Sequence, residues 1–122
     1  MEPQKFSIRS RIKSFSYAIA GIREFIRREH NARIHVVGTV AVIIAAYVLH
    51  VSFIEAVALT IVTGLVWITE LLNTCIERMA DLITLERDPH IQFIKDLAAG
   101  AVLVAALMAV ITGLFIFIPK II

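Results

Sequence analysis

Glu70, Asn73, Glu77 and Asp81 are spaced three and four residues apart at the end of a run otherwise apolar enough to cross a membrane. On a helix that spacing places all four on one face. Val51–Leu72 holds only two charges, Glu55 near one end and Glu70 near the other. An ionisable side chain inside a bilayer costs about 2.5–3.5 kcal/mol on insertion scales, which marks it as a candidate for function. Carboxylates with an amide beside them, and few imidazole or thiolate ligands, suit a hard cation such as Mg²⁺. The stripe therefore suggests a cation site at a membrane boundary.

Other chemistry-bearing residues fall at the same level. Glu29 precedes the first apolar run, and Lys95-Asp96 opens the last one. Glu29, Glu70, Asn73, Glu77, Asp81, Lys95 and Asp96 can thus converge in one interfacial layer. Phosphoryl transfer needs such parts: a metal to neutralise phosphates, a cationic side chain, and a carboxylate to take a proton from the attacking hydroxyl. There is no Gly-x-x-x-x-Gly-Lys-Ser/Thr loop, and the five glycines are isolated, so any ATP site is not of the P-loop kind. The same stripe also reads as polar contact between helices or as a proton path, and these readings stay open on the residues alone.

The elements that must position these residues are helical, and the chain reads as one membrane-embedded domain over residues 1–122. Its 122 residues are 59% hydrophobic and 18% charged, more apolar than soluble domains usually are. Ile12, Phe15, Ile19, Ile22 and Ile26 recur at helical spacing, with Arg11, Arg23, Arg27 and Arg28 facing elsewhere. This predicts an amphipathic helix over about 10–28, lying in the membrane interface. Spans are predicted within helices at about 34–50, 53–83 and 94–117, the last stopped by Pro119. Residues 84–90 form the one plausible mobile loop. Trp67 reads as an interface anchor. His30, His35, His50 and His90 read as interfacial residues rather than ligands. The fold class is all-α and integral to the membrane.

Charge sets the orientation. Seven of the twelve Lys/Arg lie between Lys5 and Arg28, and Arg78, Arg87 and Lys95 flank the second connection. The turn at His50 has none. Positive residues favour the cytoplasmic side, so the N-terminus and the polar stripe are expected there, in a multi-pass protein of the bacterial inner membrane. The basic arm suits anionic lipid headgroups, and no nucleic-acid motif accompanies it. The stretch before Ala18-Ile19-Ala20 is too charged for a secretory signal. A single Cys, Cys75, excludes an internal disulfide.

Four segments resemble a known family, the small bacterial integral-membrane diacylglycerol kinase/undecaprenol kinases. Ser14-Phe15-Ser16-Tyr17-Ala18-Ile19-Ala20-Gly21-Ile22 resembles its N-terminal helix, and Glu29-His30-Asn31-Ala32-Arg33-Ile34-His35 the start of its first span. Glu70-Leu71-Leu72-Asn73-Thr74-Cys75-Ile76-Glu77, followed by Asp81, resembles its signature segment. Lys95-Asp96-Leu97-Ala98-Ala99-Gly100-Ala101-Val102-Leu103 resembles the start of its last span.

The resemblance implies a homotrimeric bundle of three-span protomers with active sites shared between neighbours. It implies transfer of the γ-phosphate of Mg-ATP to the primary hydroxyl of a membrane lipid. Glu70 would be the general base, and Glu29 and Glu77 would hold Mg²⁺ against the nucleotide phosphates. Tyr17, Glu86, Lys95 and Asp96 would contact nucleotide, with Asn73 and Asp81 supporting. Arg9 or Arg11 would lie near phosphate or headgroup, and Arg11, Arg33, Glu70 and Ala99 would meet the lipid substrate. The residues after Glu29, and Asn73-Thr74-Cys75-Ile76-Glu77, look more like the undecaprenol branch. Diacylglycerol, giving phosphatidic acid, is the alternative acceptor. A small oligomeric proton- or cation-conducting protein is the non-enzymatic alternative, opposed by the scarcity of polar residues at mid-depth in the other two spans. Mg²⁺-dependent ATP binding would separate the two classes.

Overall fold

A computed structural model describes residue 3 and residues 5–122. The described residues form four helices joined by short connections: α1 (Ile8–Arg28), α2 (His30–Val48), α3 (Phe53–Ile83) and α4 (Pro89–Ile121). The described residues up to Ile34 form one compact unit and His35–Ile122 a second.

In the first unit, α1 begins at Ser7, whose hydroxyl accepts the Ser10 amide at 3.3 Å. That cap satisfies an orphan N–H and starts the helix two residues before the hydrophobic period alone indicates. Ile12, Phe15, Ile19 and Ile22 stay exposed along one side, as a helix lying in a lipid interface requires. Glu24 pairs with Arg27 and Arg28 one turn on. Glu29 then leaves helical geometry (φ −99°, ψ 125°), and α2 restarts at His30 rather than at 34. Arg33 donates back across this break to the Arg27 carbonyl at 2.6 Å.

The second unit is built on α3 and α4, the two helices that pack closely. Ion pairs near the two ends define their direction. Lys95 Nζ meets Asp81 Oδ1 at 2.8 Å, and Lys120 Nζ meets Glu55 Oε1 at 2.9 Å. The helices are therefore antiparallel. The 26 residue steps from Glu55 to Asp81 rise about 39 Å at 1.5 Å each, close to a bilayer with its headgroup regions. Between the pairs, Leu59, Val62, Ala98 and Ala105 are buried. Small side chains on α4 allow the close approach that drives helix association in lipid.

α4 departs from the sequence expectation at both ends. It begins at Pro89, with the Asp88 carboxylate accepting the amides of His90 and Ile91. A proline in the first turn lacks only an N–H that would be orphaned anyway, so Asp88-Pro89 starts this helix rather than lying in a loop. At the other end α4 continues past Pro119 to Ile121. In the last turn proline removes a single hydrogen bond, and the Lys120–Glu55 pair holds that turn against α3.

The α2–α3 turn is tight. His50 takes a left-handed conformation (φ 54°), and Ser52 and Glu55 form a reciprocal capping box at the start of α3. A left-handed backbone costs an ordinary L-residue about 1–2 kcal/mol, and glycine nearly nothing. His50→Gly should therefore match or exceed the parent in thermal stability in detergent, whereas His50→Val should lower it.

Three helices, α2, α3 and α4, are long and apolar enough to cross a membrane. Ile44, Ile61, Ile68, Leu107 and Phe115 are exposed on them. A water-soluble domain would not leave such surfaces wet. The protein is a membrane protein.

Candidate active site

The polar stripe lies where α3 leaves its apolar run. Glu70 and Asn73 are 5% and 8% exposed, the only buried polar side chains among the described residues. Glu77 and Asp81, one and two turns further on, are exposed. Asn73 Nδ2 donates to Glu77 Oε1 at 3.2 Å. Asn73 Oδ1 is buried and has no hydrogen-bond partner among the described residues. An unsatisfied buried carbonyl oxygen is costly and is a place for a missing partner.

The neighbouring elements add charge and donors. Lys95 on α4 is held by Asp81, and Gln92 Nε2 donates to Asp96 Oδ1 at 2.9 Å. Arg87, Pro89, Gln92, Phe93 and Asp96 line a hollow of about 450 Å³ at the start of α4. Glu86 is exposed in the preceding loop, its amide donating to Thr84 Oγ1. Ala99 is exposed beside buried Ala98.

Sequence reading missed His35. Its Nε2 lies 3.3 Å from Glu70 Oε2, and its ring sits 6.2 Å from that of Trp67. Trp67 Nε1 donates to Thr39 Oγ1 at 2.8 Å, and the Thr39 hydroxyl donates to the His35 carbonyl at 2.6 Å. Trp67 thus engages a second helix at half-burial, where the sequence suggested an interface anchor. The available signal was His35 and Thr39 one turn apart on a nearly apolar span, matched by Trp67 and Glu70 at a three-residue step. Between these contacts and the turn at His50, α2 and α3 flank an apolar cleft of about 530 Å³. Val42, Ile43, Leu59, Thr63, Gly64 and Trp67 are among its walls.

The other sequence candidates lie on the first unit. Tyr17 is exposed on α1, and the Arg11 guanidinium stands 5.7 Å over the Phe6 ring. Arg33 is committed to the Arg27 carbonyl, and Glu29 caps α1 through its amide to the Phe25 carbonyl.

The donor chemistry of the second unit fits Mg²⁺. Glu77 offers a carboxylate and Asn73 an unpartnered carbonyl oxygen, both hard ligands. No three His, Cys, Asp or Glu of the described residues are grouped to hold a metal ion.

A membrane-embedded helical protein with a carboxylate site at the edge of its spans is the class these features define. Residues 16–117 match the family model for prokaryotic diacylglycerol kinase. The chain is 43% identical over 108 residues to undecaprenol kinase of Bacillus subtilis, covering 88% of each chain. It is 44% identical over 108 residues to a diacylglycerol kinase of Synechocystis, covering 87% of this chain and 61% of that one. A Pseudomonas aeruginosa diacylglycerol kinase is 33% identical over 116 residues, covering 92% and 94%. The chain belongs to the prokaryotic diacylglycerol kinase family, and it is a lipid kinase.

Proposed function

We propose that the protein transfers the γ-phosphate of Mg-ATP to the primary hydroxyl of undecaprenol at the cytoplasmic face of the bacterial inner membrane. The observation that carries this reading is the buried Glu70 carboxylate, one turn beyond the apolar α2–α3 cleft. A lipid alcohol stays in the membrane and ATP in water, so reaction belongs at that boundary. The cleft suits the acceptor's hydrocarbon. Glu70 takes the hydroxyl proton as the oxygen attacks the γ-phosphorus. The new O–P bond forms, the bond to the bridging oxygen breaks, and ADP leaves.

Bound Mg²⁺ supplies charge neutralisation on the phosphates. Glu77 would hold it with the neighbouring Asn73 carbonyl, and the family resemblance gives Glu29 as the other carboxylate. Lys95, aligned by Asp81, offers the cation for phosphate, and Asp96 with Glu86 and Tyr17 contacts nucleotide. Arg11, Arg33 and Ala99 are assigned to the lipid substrate. The exposed apolar faces of the spans and the scattered donors of a single chain support a homotrimer whose sites are completed by a neighbour. The undecaprenol branch is favoured by the Glu29–His35 and Asn73–Glu77 segments and by a relative of that name matched over most of both chains. Diacylglycerol is the second reading, from the relatives so named.

The test is transfer of labelled γ-phosphate from Mg-ATP to lipid in mixed micelles, with undecaprenol and diacylglycerol in parallel. Labelling of undecaprenol above diacylglycerol is expected. The reverse order would replace the acceptor, and labelling of neither by folded protein would overturn both.

A further inference from the structure

A lone histidine beside a buried glutamate is commonly structural, but His35 is placed with more constraint than a polar contact needs. The Thr39 hydroxyl accepts from Trp67 Nε1 and donates to the His35 carbonyl, so both of its roles are used. Those two bonds join the indole to α2, and the indole ring is tilted 56° to the imidazole. The imidazole Nε2 then faces Glu70 Oε2 at 3.3 Å. A carboxylate only accepts, so His35 Nε2 must carry the hydrogen when Glu70 is ionised. Glu70 has three rotatable side-chain bonds and is 5% exposed, so little water is at hand to orient it.

We infer that His35 is a positioning residue for the phosphoryl transfer. It donates through Nε2 to Glu70 Oε2 and so presents Oε1 to the lipid hydroxyl, with Trp67 and Thr39 holding the imidazole in place. The inference rests on Glu70 being the base. The general pattern is a base oriented by a third group, here a neutral or cationic donor in place of the usual carboxylate. One oxygen is engaged by the protein and the other accepts the proton, so the base does not search its rotamers at each turnover. The brace also ties α2 to α3 directly above the cleft.

The experiment compares His35→Leu, His35→Gln and Glu70→Gln in the lipid kinase assay, each alone and with His35→Leu combined with Glu70→Gln. His35→Leu removes the donor and keeps apolar bulk; His35→Gln keeps an N–H donor. His35→Leu should lower kcat by about 10- to 100-fold, the scale seen when a metal ligand loses the partner that orients it. KM for Mg-ATP and thermal stability should stay near the parent's, and His35→Gln should recover most of the rate. In the Glu70→Gln background, His35→Leu should cause no further loss. Parental kcat in His35→Leu would overturn the inference, as would equal losses in His35→Leu and His35→Gln. A matched fall in stability and rise in KM would assign His35 to structure alone. Parental transfer by Glu70→Gln would instead remove the base on which the inference rests. Where His35→Leu fails to assemble, ¹⁵N chemical shifts of His35 in the parent decide. A protonated Nε2 that responds to Glu70→Gln is expected, and an unprotonated Nε2 overturns the inference.

Discussion

Glu70→Gln is expected to abolish lipid phosphorylation while leaving the fold intact, with a loss of about 10²–10⁴-fold, the range for removing a general base. The substitution is nearly isosteric, and the Gln amide oxygen can still accept from His35 Nε2, which now faces Glu70 Oε2. Packing at this buried position is therefore kept, and the change falls on proton acceptance. The loss should appear in kcat, with KM for Mg-ATP little altered, because the proposed base would act on the lipid hydroxyl and not on nucleotide. Steady-state kinetics with lipid and Mg-ATP varied independently, on protein matched to the parent in thermal unfolding, measures this. Full activity in such protein would remove Glu70 from the role.

Glu77→Gln should have the next largest effect, of a different kind. The carboxylate at this position is exposed and accepts from Asn73 Nδ2 at 3.2 Å. In the proposed site Glu77 holds Mg²⁺, and there the loss of one formal charge would weaken the metal, and with it the nucleotide. Removing even a supporting partner of a metal ligand costs about 10–100-fold, so a direct ligand should cost at least about 100-fold at low Mg²⁺. Activity should be partly restored by raising Mg²⁺, which Glu70→Gln should not show. A titration of rate against Mg²⁺ at fixed ATP separates the two variants. An unchanged Mg²⁺ requirement in Glu77→Gln would exclude a metal role for that carboxylate. The contrast follows from position: Glu70 is buried beside α2, and Glu77 is exposed two turns further along α3.

Much of this was legible in the sequence because helices in lipid obey local rules. Three long apolar runs and an amphipathic arm define three candidate spans and a surface helix, since backbone groups in a bilayer must be satisfied within each segment. The face shared by Glu70, Asn73, Glu77 and Asp81 follows from helical period alone. Element ends were less legible. Periodicity does not register that Asp88 caps Pro89, that Ser7 caps α1, or that α4 runs past Pro119, because each depends on one or two hydrogen bonds or an ion pair.

Residue types and spacing by themselves determined that this is a membrane protein with a carboxylate stripe at the edge of a span. They also carried the four segments by which the lipid kinase family is recognised. Tertiary structure decided which polar groups meet: Lys95 with Asp81, Lys120 with Glu55, and His35 with Glu70. His35 and Glu70 are 35 residues apart, and no local period relates them. Their meeting depends on how α2 lies beside α3, which the Trp67–Thr39 bond and the turn at His50 help to set. Apolar runs specify burial in lipid without direction, whereas a hydrogen bond needs a particular partner at a particular distance, and that only packing supplies.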